Sequence, residues 1–156
     1  MRKHYAVVGI LLLVASAVHA RWTSPATIDF NSNAATEVKI ASNSTSHKAM
    51  AAFIQSDGTD DEVYACLYEP ATGWGTPTLI SNASSGNCSD VQLVHTNSDR
   101  FLAVWVRSNG TRPAIYKNYF NSGWGTATQV DNAGGTGYDA AEPRLAANAA
   151  TGNAVM

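Results

Sequence analysis

Charge is scarce in this sequence. Asp, Glu, Lys and Arg make up 14% of the chain, against roughly a quarter in an ordinary soluble protein. No cluster of Lys and Arg occurs, which argues against nucleic acid and anionic membrane surfaces as partners. Helical periodicity is missing as well: beyond the first twenty residues no window sustains a 3.6-residue apolar spacing, which disfavours a helical domain. The common catalytic signatures are absent, with no G-x-S-x-G elbow, no H-E-x-x-H helix and no phosphate-cradling glycine loop. His47 and His95 stand alone, without a second His or Cys at metal-ligand spacing. Glycosidase chemistry needs two carboxylates about 5–10 Å apart, and nothing singles out such a pair, Asp57 and Asp90 included. The sequence therefore nominates no catalytic residue, no metal and no cofactor. Asn, Ser, Thr and Gly take the place of charge, giving a neutral, hydrogen-bonding surface that suits sugars and also suits inert exported proteins.

The one long apolar run lies at the front. Arg2 and Lys3 precede residues 6–18, AVVGILLLVASAV, and Val18-His19-Ala20 has the small-residue form of a cleavage site. Thirteen residues span about 20 Å as a helix, short of the roughly 30 Å hydrocarbon core. No cysteine lies near the cut, so a lipid anchor is not supported. Residues 1–20 read as a cleaved signal peptide, with the mature chain secreted or periplasmic and beginning at Arg21. That chain carries 8 basic and 12 acidic side chains. Cys66 and Cys88 are the only cysteines. After export they either form a disulfide, closing a loop of about 22 residues for ~3 kcal/mol, or sit as two separately buried thiols.

What the chain does have is self-similarity. "TGWGT" at 72–76 returns as "SGWGT" at 122–126, and Trp22, Trp74 and Trp124 head three parallel phrases, "WTSPATID", "WGTPTLIS" and "WGTATQVD". An acidic residue then opens an alternating pair: "EVKI" at 37–40, "DVQL" at 90–93, "EPRL" at 142–145. Next come "KAMAAFIQ" at 48–55, "RFLAVWVR" at 100–107 and "GNAVM" at 152–156. "SDGT" matches "SNGT", and "VYACLYEPATG" at 63–73 answers "IYKNYFNSG" at 115–123. The period is 50–53 residues, with units at 22–73, 74–123 and 124–156, the last incomplete. Periods of this length mark stacked supersecondary units.

Within each unit the runs are short and rich in β-branched and aromatic residues, and Asn, Ser, Gly and Asp turns separate them. The expected fold is all-β: β-propeller-type repeats of four-stranded antiparallel blades, about two and a half blades in an incomplete ring. Strands are expected at 37–42, 48–55, 62–69 and 76–81, and again at 90–95, 100–107, 113–120 and 126–131. Residues 24–29 form an orphan outer strand. Because a ring needs four or more blades, the sequence reads as a piece of a longer protein, or as one whose copies join to close. Phe53 and Trp105 fall mid-strand and belong to the core.

In the GWG turns, Gly73 and Gly123 are expected to take positive φ, and Trp74 and Trp124 either plug the space between units or offer a platform for a sugar ring. Successive turns of a meander fall on alternate faces. Longer loops carry function more often than short turns, so the candidate binding face holds 56–62 (SDGTDDE), 82–89 (NASSGNCS), 108–112 (SNGTR) and 132–141 (NAGGTGYDAA). Asp57, Asp60, Asp61 and Glu62 are the dense charge there, either a solvated hairpin, a ligand contact or a calcium site, although the alternating-ligand spacing of a calcium helix-loop-helix is absent. Asp90 recurs with Glu37 and Glu142, which points to a shared job such as accepting backbone N–H groups between units. Arg112 and Tyr138 break the repeat and are candidate ligand contacts. The triplets at Asn43, Asn82, Asn87 and Asn109 are glycan acceptors only in a glycosylating host.

The phrases "GWGT", "GNAV" and "RFLAVWV" resemble those of secreted bacterial β-propeller proteins related to the sialidase-like and fucose-lectin-like propellers. The resemblance spans the mature chain through motifs generic to blade construction. "SDGTDDE" departs from the Asp-box S-x-D-x-G-x-T-W in spacing and in lacking the tryptophan, and no arginine triad can be placed, so the resemblance does not carry sialidase activity. It implies sugar binding between blades, with Trp74, Arg107 and Glu69 of suitable type. The expected role is a non-catalytic exported binding module for carbohydrate or a cell-surface polymer. The alternatives are a protein-interaction scaffold and part of a larger propeller glycoside hydrolase.

Overall fold

The computed structural model of the chain describes residues 27–82, 86–108, 112–131 and 139–156. The leader, Trp22 and Tyr138 lie outside them, as does the first half of the orphan strand; residues 27–29 are described and carry no strand. All regular structure among the described residues is β, in antiparallel sheets.

The first sheet runs β1 (Ala35–Ser42), β2 (Ala49–Ser56), β3 (Asp61–Glu69), then β4 (Gly73–Trp74) and β5 (Thr78–Leu79) on the same edge of β3. The second runs β6 (Asn87–His95), β7 (Arg100–Ser108), β8 (Pro113–Asn121) and β9 (Thr128–Gln129). A hairpin of β10 (Ala146–Asn148) and β11 (Asn153–Val155) follows. The three long strands of each sheet lie within a few residues of the expected ones. The outer strand differs: it is only two to four paired residues per sheet. Pro77 has no N–H to give and Gly75 sits off the ladder, bonding Leu67 O at 2.8 Å. In the second sheet Gly125 N bonds Tyr119 O at 3.1 Å in the same way. In the last segment pairing starts at Ala146 rather than within "EPRL".

The acidic residue at the mouth of each inner strand explains another difference. Glu37, Asp90 and Glu142 all take left-handed backbone, with φ of 52°, 56° and 52°. Each of the first two marks a bulge, between Thr36 and Lys39 and between Ser89 and Gln92. Pairing therefore resumes before the bulge, and β1 and β6 start earlier than alternation alone implies.

The two sheets pack face to face. Met50, Ala52, Ile54, Val63, Ala65 and Ile80 of the first meet Val91, Leu93, Phe101, Ala103 and Trp105 of the second. Period-2 alternation sends these residues one way and Ala51, Phe53 and Tyr64 the other. Trp105 and Phe53 are both buried, as the mid-strand position requires. At 25 cal/mol per Å², an indole covering about 200 Å² contributes up to ~5 kcal/mol before entropy offsets it.

A buried polar strut crosses the same interface. Arg107 on β7 reaches into the first sheet, where its Nη2 bonds Glu62 Oε1 at 2.8 Å and Oε2 at 2.6 Å. Its Nη1 bonds the carbonyls of Ser81 at 2.7 Å and Asn82 at 3.0 Å. Ser81 Oγ donates to Glu62 and accepts Val63 N at 3.0 Å. Burial pushes the Glu62 carboxyl up, against the pull of Ser81 and the guanidinium. Cys88 lies against the same carboxylate, and burial pushes its thiol up to about 12.

Candidate functional site

The turns joining the first and second strands of each element pair sit side by side. Asn43, at the start of the turn after β1, donates its amide to Ser98 O and, at 2.9 Å, to Asp99 Oδ1. Ser46 Oγ donates to the same carboxylate oxygen at 2.5 Å. On the other side, the turn after β10 presses on the turn after β6. A Cβ on Gly152, whose φ is +75°, would be strained and would fall 2.4 Å from Asn97 Nδ2, so a larger residue would have to displace the Asn97 side chain. The left-handed residues His47 and Ser98 shape the other two turns.

Together the three turns frame a cavity of about 680 Å³ lined by Ser42–Ser46, His95, Ser98, Asp99, Ala149 and Ala150. That volume is within the range of small-molecule sites. Its wall carries four hydroxyls from residues 42–46 together with an amide, an imidazole and a carboxylate. His95 Nε2 shares a 2.6 Å hydrogen bond with Ser98 O.

A second cleft, of about 230 Å³, opens between the two sheets and is lined by Lys48, Leu67, Glu69, Asp99, Phe120 and Ser122. Lys48 Nζ lies 3.0 Å from Glu69 Oε1 and 3.2 Å from Asp99 Oδ2, so Asp99 belongs to both walls. The hydroxyl of Ser46, then Lys48 and Asn43, hold the Asp99 carboxyl below its ordinary value. Glu69 and Asp99 in turn hold the Lys48 ammonium above its own. Two carboxylates around one ammonium leave the cleft one negative charge in excess.

These groups lie at the opposite end of the sheets from the loops expected to bind. The aspartates of the SDGTDDE loop make a hairpin turn. Asp57 Oδ1 accepts the N–H groups of Thr59 at 2.8 Å and Asp60 at 3.0 Å, and these two bonds hold its carboxyl below the ordinary value. Gly58, with φ of 106°, completes the turn. Asp61 is exposed, and its N–H bonds Asn87 Oδ1 at 2.9 Å. Glu62, the last acid of the run, turns inward to Arg107. Asp90 sits half-buried in its bulge. The job expected of its class is visible at Glu37, whose Oε2 accepts Val91 N at 3.1 Å from the neighbouring sheet. Arg112 is half-buried just before β8.

Trp124 is half-buried and packs against the core between the two sheets, and Trp74 is half-buried in β4. Each packs edge-on against the third strand of its own sheet, Trp74 on Tyr68 at 5.4 Å and Trp124 on Phe120 at 5.5 Å. Gly73 has positive φ, but in the second turn Ser122, not Gly123, takes it. Arg107 is buried in the strut and cannot serve a surface pocket, whereas Glu69 lines the second cleft.

Both cysteines are free, buried thiols and do not bridge. Cys66 Sγ bonds Gly75 O at 2.9 Å, while Cys88 faces Glu62. Among the described residues no three His, Cys, Asp or Glu side chains group as metal ligands. No helix among them is long and apolar enough to cross a membrane.

Sequence reasoning missed the Lys48–Glu69–Asp99 group. Its signal was the register of the hairpins: Lys48 immediately precedes the second strand and Glu69 closes the third, and Arg100 and Asn121 hold the matching places one sheet on, 3.2 Å apart. Comparison of the chain with protein-family models, with curated proteins and with solved structures returned no match.

Proposed function

We propose that the chain is part of an exported, non-catalytic β-propeller whose sheets are blades, and that it binds carbohydrate or a cell-surface polymer. The supporting observation is the pair of adjoining cavities on the inner-turn end. Their walls of hydroxyl and carboxylate groups suit a neutral polyhydroxylated ligand, and Phe120 in the second cleft offers an apolar ring face beside Glu69 and Asp99. A sugar presents that mixture, with hydroxyls for hydrogen bonds and C–H faces for an aromatic ring. The site differs from the loop face expected from sequence because the inner turns of three neighbouring segments converge there.

The test is a glycan array followed by calorimetry. Binding of at least one neutral saccharide is expected, with Phe120→Ala and Asp99→Ala each weakening it ten-fold or more, about 1.4 kcal/mol. Failure of every neutral glycan and polysaccharide to bind a correctly folded sample would sink the reading. The competing reading, a protein-interaction scaffold, draws support from the exposed apolar residues Phe30, Val38 and Ile40.

A further inference from the structure

We propose, resting on the carbohydrate reading above, that the cleft between the two sheets holds the ammonium group of an amino sugar, a charged unit within an otherwise neutral saccharide. Lys48, Leu67 and Glu69 form one wall and Asp99, Phe120 and Ser122 the other, so the packing of the two sheets fixes the cleft. Lys48 is the one cation among these six residues, and it meets both carboxylates, leaving the negative excess already described. The side chains of Glu69 and Asp99 are 44% and 40% exposed, open to an incoming ligand. Arg100, next to Asp99, does not restore the balance. Period-2 alternation turns Phe101 toward the first sheet and Arg100 to the opposite face, where its Nε bonds Asn121 Oδ1 at 3.2 Å.

The hairpins themselves do not require this excess of acid. Arg100 and Asn121 join the ends of β7 and β8 with no carboxylate, in the places that Lys48 and Glu69 take one sheet back. A metal ion would have to displace Lys48 Nζ, which stands 3.0 and 3.2 Å from the two carboxylates. A second ammonium can share them, because each carboxylate accepts several N–H bonds. Phe120 adds a preference for positive charge. Its half-buried ring, packed edge-on against Phe101 at 6.2 Å and Trp124 at 5.5 Å, lines the cleft, and an aromatic face attracts a cation. The same face suits the C–H side of a sugar ring. Asp99 is the partition with the larger cavity: its Oδ1 accepts Asn43 and Ser46 and its Oδ2 meets Lys48. The hydroxyl-lined wall beyond it takes the neutral units that flank the amine. That continuity favours a saccharide amine over the lysine of a peptide.

Calorimetry with oligomers of glucosamine and of galactosamine, each as the free amine and as the N-acetylated form, tests this at about pH 5.5 and low salt, where carboxylates and amines are both charged. At least one free-amine oligomer is expected to bind about five-fold or more tighter than its acetylated partner, the scale of a partly exposed ion pair. The margin shrinks as salt screens the cleft. Glu69→Gln closes it. Lys48→Met, which removes the resident cation, widens it in a sample whose thermal unfolding shows it folded; weaker binding of the free amine by that variant overturns the inference. Equal binding of free and acetylated forms overturns it and leaves the carbohydrate reading standing, as does a neutral glycan that binds while no amino oligomer does. Failure of every glycan, charged or neutral, overturns both. Poly-lysine bound as tightly as the amino oligomers reassigns the cleft to basic peptides and overturns the inference alone.

Discussion

Asn118 and Cys66 hold matching places on β8 and β3, and both do the same work with unequal tools. Asn118 Nδ2 bonds Gly125 O at 3.0 Å and Ile80 O of the first sheet at 2.9 Å, while the Cys66 thiol reaches Gly75 O alone. Asn118→Ala leaves two carbonyls without a donor and is expected to cost about 1–3 kcal/mol in urea unfolding. Cys66→Ser keeps a donor and should stay within about 1 kcal/mol. Neither thiol is expected to react with a disulfide reagent in the native state, since burial raises both and holds Cys88 near 12. Two equivalents should react once the chain is unfolded, and a native reaction at Cys88 would contradict the burial described. Gln55 and Arg107 form a second such pair. Gln55 Nε2 holds the carbonyls of Asn31 and Asn33, at 3.1 and 2.5 Å, as Arg107 holds those of Ser81 and Asn82. A neutral donor needs no counter-ion, whereas the guanidinium needs Glu62. Arg107→Met strands that carboxylate and is expected to cost about 3–5 kcal/mol, and adding Glu62→Gln should recover part of it.

At the scale of the element, the hairpin turns are set by local chemistry. Asn43 Oδ1 accepts Thr45 N at 2.9 Å, an Asx turn of the kind its sequence invites. Its amide nitrogen is spent on Ser98 and Asp99, so the side chain is unavailable to a glycan in the folded state. Part of the contact between these two turns depends on ionised Asp99, which accepts Asn43 Nδ2 and Ser46 Oγ and pairs with Lys48. Its folded pKa lies below the ordinary 3.8, so the stabilisation is present above about pH 4 and is lost as pH falls through the folded value. Thermal unfolding of the unsubstituted chain and of Asp99→Asn should therefore differ at pH 6 and converge below pH 3.8. A difference that persists unchanged at low pH would assign the contact to something other than the charge. The long strands were legible because period-2 alternation and turn residues bound them. The bulges were not, because a left-handed Glu or Asp is chosen by what its carboxylate meets in another sheet.

For the molecule as a whole, the inter-sheet face decides most of the behaviour. Trp105→Ala is expected to cost about 3–5 kcal/mol, because the neighbouring sheet is held by several strands and cannot collapse onto the void. A loss under 1 kcal/mol would mean the two sheets fold independently. The sequence by itself determined the class of structure, the approximate extents of the long strands apart from the starts of β1 and β6, and the buried status of Phe53 and Trp105, since these follow from periodicity and turn chemistry within one segment. Only the tertiary structure decided that Glu62 turns inward while Asp57 and Asp61 stay in water, that Arg107 is a strut, and that Lys48, Glu69 and Asp99 meet. Each of those outcomes depends on a partner 21 to 51 residues away, whose approach is set by sheet packing and leaves no local trace in the order of residues.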